Sequence, residues 1–360
     1  MMNILLITLD QFRADCLGCA GHPIVQTPNL DRLAADGLRL ARHYSQCAPC
    51  SPGRASLYTG LYQCNHRVVG NGTPLDARFD NIAMAGRRAG YAPTLFGYTD
   101  QSIDPRQADG PDDPRLEDYE QVLPGFDVGY RLGPARPDAW VQWLNAKGYT
   151  LPTDAMAAIA TEADRHEDLS LSAFLTDKFI DWLGVQDRPW FAHLSQFRPH
   201  EPFAAAGRFG TMYDPDDMAD PIVPAAERHP LHDGLMRHPL LKAPSDPNEM
   251  RRLRAQYLGM VSEADHQLGR VWDALEALGQ WDNTLIIVTS DHGEQFGDHG
   301  LMQKLGFLKA ASTFSVLCAI RVRARRAAAL WTGLQRILIG FPRFARPWIS
   351  PCQPSVTGFP

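Results

Sequence analysis

No run of this 360-residue chain approaches the ~20 uninterrupted apolar residues that a helix needs to cross a bilayer, so no membrane partner is expected. The opening stretch Met1 to Asp10 lacks both a basic flank and the ~7 to 15 apolar residues of a secretory leader. It reads as a buried strand, and a cytoplasmic protein is expected. Seven cysteines, an odd number in so long a chain, argue against a disulfide framework. The pairs Cys16/Cys19 and Cys47/Cys50 leave a CxxC zinc-binding interaction module as an alternative, although 27 residues part them, more than the ~15 to 20 of the usual four-cysteine pattern. Internal repeats are absent. Acids are absent from one end: all 41 Asp and Glu lie at or before Asp298, and the last 62 residues hold nine Lys or Arg.

What is present points to an α/β protein. Residues 3 to 9 form an apolar run ending in Asp10, and residues 284 to 290 form another ending in Asp291. Such runs suit central strands buried on both faces, which deliver their next residues to the edge of the sheet where α/β proteins bind ligands. Thr27 to Gly37 reads as a short helix with an Asn or Asp cap, and a helix from Arg54 to Leu61 would place Cys50 near its N-terminus. Further on, Tyr91 to Tyr98 and Trp190 to Phe197 read as strands, and Leu169 to Leu183 and Pro247 to Leu278 as helices. The Pro, Asp and Gly-rich stretch from Asp100 to Gly133 reads as an irregular surface insertion.

Asp10-Gln11 after the first strand and Asp291-His292 after the later one offer carboxylate, amide and imidazole donors, a set suited to Mn²⁺, Ca²⁺ or Mg²⁺. Each residue taken singly is weak testimony. Together with Cys50-Ser51-Pro52-Gly53-Arg54 they become specific. Leu9-Asp10-Gln11, Thr27-Pro28-Asn29-Leu30-Asp31-Arg32-Leu33, the CxPxR stretch at Cys50 and Ser290-Asp291-His292-Gly293-Glu294 occur in the order typical of the sulfatase family. The chain resembles most the phosphonate monoester hydrolase and phosphodiesterase branch, which also has Asp-Gln where most sulfatases have Asp-Asp.

That resemblance implies an alkaline-phosphatase-like three-layer sandwich with a mostly parallel central sheet. It implies oxidation of Cys50 to formylglycine by a formylglycine-generating enzyme, and one divalent metal ion held by Asp10, Gln11, Cys50, Asp291 and His292. A hydrated aldehyde is a geminal diol. One hydroxyl attacks phosphorus or sulfur, and loss of the proton from the other expels the product by carbon–oxygen cleavage, which a serine cannot achieve. Arg54, His200 and Lys304 take catalytic roles in the same comparison: support of the turn, service to the leaving group, and contact with the transferred oxyanion. Asn71, Tyr98 and Thr99 are expected to bind substrate. The segment Tyr98 to Asp100 carries no lysine where many sulfatases have one, which suits a small anionic ester with one negative charge. Hydrolysis of phosphonate monoesters or phosphate diesters is expected, with an arylsulfatase-type sulfuric ester hydrolase as the alternative.

The resemblance runs to Phe307. A catalytic domain over residues 1–307, incomplete at its C-terminal end, and a non-family basic tail over 308–360 are therefore expected, with the C-terminal subdomain and the strand after Lys304 missing. A frameshift near codon 308 would explain the change of composition, and an inactive fragment follows as another alternative. No nucleic-acid partner is expected of the tail, and a homo-oligomer that depends on the missing part is in doubt.

Overall fold

The computed structural model describes residues 1–117, 120–134 and 137–319. Side chains of β1 (Asn3–Leu9) alternate between two cores: Leu5, Ile7 and Leu9 enter one hydrophobic cluster and Leu6 the other. A strand buried on both faces needs a layer on each side, and the sheet has them. It contains β2 (Leu38–Tyr44), β3 (Pro93–Gly97), β4 (Asp127–Arg131), β5 (Phe191–Gln196), β6 (Thr284–Thr289) and β7 (Thr313–Ala319) in the order β2-β7-β6-β1-β5-β3-β4. β1 runs parallel to β5 and β6, and β3 parallel to β5 and β4. β7 is antiparallel to both β6 and β2. The expected mostly parallel α/β architecture is therefore present.

One core packs the sheet against α1 (Pro28–Asp36) and the helices Leu171–Leu183 and Pro247–Ala277. The other packs it against α2 (Cys50–Thr59) and the helix Ile82–Arg88. Leu9 stands opposite Gln196 and Thr8 opposite Thr289, so the residues that follow β1, β5 and β6 leave at one edge. No helix among the described residues is long and apolar enough to cross a membrane.

Three expectations change. The N-cap of α1 is Thr27, without a side-chain cap bond; instead Asp265 of the long helix accepts from the N–H groups of Asn29 (3.1 Å) and Leu30 (2.7 Å). The stretch from Asp100 to Gly133 is not wholly irregular, since it contributes β4 at the sheet's edge. β4 lacks apolar alternation because it is largely exposed, and Gly129 lets Phe96 of β3 lie close against it. The strand after Lys304 is present: β7 lies between β6 and β2, beyond the expected boundary at residue 307. Residues 320–360 of the expected tail lie outside the described residues.

Candidate active site

Cys50 is the first residue of α2, and Gly53, three residues on, explains how it reaches the sheet. A Cβ on Gly53 would lie 2.8 Å from the Asp291 carbonyl oxygen and 3.2 Å from that of Cys47. Only glycine lets the first turn of α2 approach the exit of β6 so closely. Cys50 Sγ then sits 3.1 Å from His292 Nε2 and 4.0 Å from Asp10 Oδ1. Burial, then the charge of Asp10, pushes its thiol well above the usual range.

Arg54, one helical turn on, is wholly buried beneath this group. Its Nε donates to Asp291 Oδ2 (3.0 Å) and its Nη2 to Asp10 Oδ2 (2.9 Å). Nη1 donates to Ser195 Oγ (2.8 Å) and to the Tyr98 carbonyl (3.2 Å), and the guanidinium stacks 4.4 Å from the Tyr98 ring centroid. The fork is thus spent on orienting two carboxylates. Burial alone would raise the Asp10 carboxyl, but the charges of His200, Arg54, His292 and Lys304 outweigh it and hold the group well below its ordinary range.

A second cluster adjoins the first through Gln11, whose backbone takes the left-handed φ of 64°. Lys304 Nζ donates to Gln11 Oε1 (2.6 Å) and to His200 Nε2 (2.6 Å). Gln11 Nε2 donates to Glu201 Oε2 (2.8 Å) and to Glu294 Oε2. Burial, then the neighbouring Glu201, pushes Glu294 up to about 7, whereas His200 and Lys304 overcome burial to hold Glu201 down at about 2. Burial would lower Lys304, but the surrounding Cys50, Glu201, Asp10 and Asp291 raise it above its ordinary range. Two acids here, Glu201 and Glu294, had no expected role; an amide flanked by carboxylates is a tertiary fact.

Among the expected substrate contacts, Tyr98 reaches the group, its hydroxyl donating to Asp10 Oδ2 at 2.5 Å. Asn71 is exposed beside the start of α2, where its Oδ1 accepts from Ser51 N (3.0 Å). Thr99 is not brought in: its hydroxyl donates to the Gln121 carbonyl (2.5 Å) and accepts from Leu123 N (2.9 Å), because its side chain turns toward that segment. Asp100 is buried with Oδ2 unpartnered, and burial pushes it up to about 8.

The donor set fits a divalent ion. Ligand atoms of Asp10, Cys50, Asp291 and His292 lie within 4.8 Å of one another, all buried. His292 Nδ1 donates to the Gly293 carbonyl (2.9 Å), which leaves the Nε2 lone pair facing the carboxylates. The Gln11 carboxamide oxygen, expected in the same set, accepts from Lys304 Nζ and keeps its second lone pair. Cys16, Cys19 and Cys47 are not in this group, so among the described residues the two CxxC pairs do not assemble a four-cysteine site.

Known proteins share this arrangement's fold. A family model described as Sulfatase matches residues 2–325. The "Multifunctional alkaline phosphatase superfamily protein PehA" of Trinickia caryophylli is 39% identical over 340 residues, which cover 85% of this chain and 65% of that protein. The crystal structure of a phosphonate monoester hydrolase of Agrobacterium radiobacter superposes with a TM-score of 0.82 at 43% identity, over 89% of this chain and 68% of that one. A phosphonate monoester hydrolase from Silicibacter pomeroyi gives 0.81 at 36% identity, with the same coverage. The chain spans about two thirds of the length of these relatives.

Proposed function

This chain belongs to the sulfatase family, and from that premise we propose that it is a metal-dependent hydrolase of phosphonate monoesters or phosphate diesters, with formylglycine made from Cys50 as its nucleophile. The observation that carries the reading is the buried meeting of Cys50, Asp10, Asp291 and His292 above Arg54, in a chain 43% and 36% identical to two phosphonate monoester hydrolases.

Asp10, Asp291 and His292, with Gln11 and the modified Cys50, would hold Mn²⁺, Ca²⁺ or Mg²⁺, which supplies Lewis acidity beside the nucleophile when bound. Hydrated formylglycine supplies one hydroxyl for attack and a second whose deprotonation releases the product. The unmodified thiol is a poor substitute, because it carries no second hydroxyl with which to expel the product. Arg54 and the Tyr98 hydroxyl fix both Asp10 and the turn that carries Cys50. Lys304 Nζ would offer positive charge to the transferred oxyanion, and its 2.6 Å contact with His200 Nε2 supports a short line for a proton to the leaving oxygen. His200 Nδ1 donates to the Glu201 carbonyl (2.9 Å), so Nε2 is the atom left for that task.

Arg54 is occupied by carboxylates, so the site suits an ester with one negative charge rather than two. Sulfate monoesters also carry one charge, and the family keeps them as the second reading. Initial rates on aryl phosphonate monoester, phosphate diester and sulfate ester, with mass measurement of the Cys50 peptide, test the proposal. The thiol-to-aldehyde mass loss and faster turnover of the phosphorus esters are expected. An unmodified Cys50 from a host that makes formylglycine would sink it.

A further inference from the structure

The loop that carries His200 is held from behind by a residue with no part in the chemistry above. Arg198 is fully buried and donates from Nη1 to the carbonyls of His200 (3.0 Å) and Pro202 (2.8 Å) and from Nη2 to that of Ala204 (3.1 Å). The same Nη2 pairs with Glu162 Oε2, both side chains being 0% exposed. Glu162 is anchored in turn, because its Oε1 accepts at 2.5 Å from the N–H of Leu171, the first residue of the helix Leu171–Leu183. The guanidinium also lies 5.6 Å from the Phe197 ring centroid, and that ring packs on the His200 imidazole with centroids 4.9 Å apart.

Removing a guanidinium and a carboxylate from water costs several kcal/mol per ion unless close geometry offsets it. Here the geometry is aimed at alternate carbonyls of a single loop. The Glu201 carbonyl, which accepts from His200 Nδ1, lies between the carbonyls of His200 and Pro202 that Arg198 binds. Fixing the peptides on either side therefore fixes the acceptor of Nδ1–H, and with it the tautomer that turns Nε2 toward Lys304. We propose that Arg198 and Glu162 are positioning residues for His200, setting through these carbonyls the direction and tautomer of the imidazole that serves the leaving oxygen. The inference rests on the reading of His200 given above.

The test uses the full-length, metal-loaded protein with Glu162→Gln, which keeps the shape and the acceptor for Leu171 N, and with Arg198→Lys, which removes the fork. Both are assayed on aryl phosphonate monoesters graded in leaving-group acidity. Rates on the most acidic phenols should stay within about threefold of the parent while those on the least acidic fall by ~10-fold or more, the slope shared by His200→Ala. The double variant of Glu162→Gln and His200→Ala should add little to His200→Ala alone. A uniform loss across the series, no loss, or full additivity overturns the proposal. Nitrogen-15 NMR of the imidazole reads the same point without turnover: in the folded Glu162→Gln protein the tautomers should mix, and an unchanged His200 signal overturns the positioning role. A flat slope in His200→Ala itself has another signature, since it removes the role of His200 and this inference with it.

Discussion

Cys50 Sγ lies 3.1 Å from Nε2 of His292, the nitrogen left facing it once Nδ1 has donated to the Gly293 carbonyl. That contact places residue 50 among the buried atoms that could hold a metal ion rather than in a solvent-exposed nucleophile's position. Cys50→Ser keeps an oxygen there but has no second hydroxyl with which to expel the product. One turnover followed by arrest is expected, with steady-state rate down ~10³-fold or more. Burst kinetics and the mass of the retained phosphonyl group check it; sustained turnover by the serine variant would contradict the release chemistry.

Arg54 neutralises Asp10 and Asp291 where water does not reach. Arg54→Met should therefore destabilise the metal-free protein by about 3 to 5 kcal/mol, the cost of leaving buried charges without their partner. Urea unfolding measures the difference. Added divalent ion should narrow it, since the ion supplies charge to the same carboxylates.

Chelation should lower Tm and Mn²⁺ or Ca²⁺ should restore it, with a stabilisation of about 2.7 kcal/mol when the ion is at a hundred times its Kd. Asp291→Asn should abolish the shift. Elemental analysis of the dialysed protein identifies the resident ion, and an Asp291→Asn protein that keeps a full equivalent would count against the assigned ligands.

Glu263 gives a pH dependence away from the metal. Burial, then the charge of Glu162, raises its carboxyl from the ordinary 4.5 to about 7, with Arg198 offsetting part of the rise. The folded value lies above the unfolded one, so the native state binds the proton more tightly between those two values. The associated stability is full below pH 4.5 and lost by about pH 7. Glu263→Gln should accordingly match the parent in acid and exceed it in Tm at about pH 8, where the parent carries the buried charge. Parallel stability curves for the two proteins would refute the assignment.

β7 fills the place between β6 and β2, so a chain ending at residue 307 leaves the edge of β6 bare. It should aggregate at concentrations where a chain ending at residue 319 does not. Light scattering of the two purified proteins decides the matter, and equal solubility would show that β7 is dispensable.

The central strands were legible because burial on both faces leaves a continuous apolar run: residues 3 to 9 and 284 to 290 could be placed nearly to the residue. β2 and β4 were not. Leu38–Tyr44 and Asp127–Arg131 are exposed over much of their length and carry no such run. The cap of α1 was misread for a related reason, since its acceptor, Asp265, lies more than two hundred residues away.

By itself the sequence determined which residues meet at the candidate site: a CxPxR turn, and acids directly after apolar strands, whose side-chain types and chain order limit them to few uses. It determined neither the orientation of those groups nor their partners. Why residue 11 is an amide became visible only when folding set its Nε2 between Glu201 and Glu294 and its Oε1 against Lys304. Likewise, Thr99 sits next to Tyr98 in the chain but points elsewhere, because its hydroxyl found partners at Gln121 and Leu123. Hydrogen bonds and burial depend on distance in space, and a parallel sheet brings together strand ends that the chain itself holds far apart.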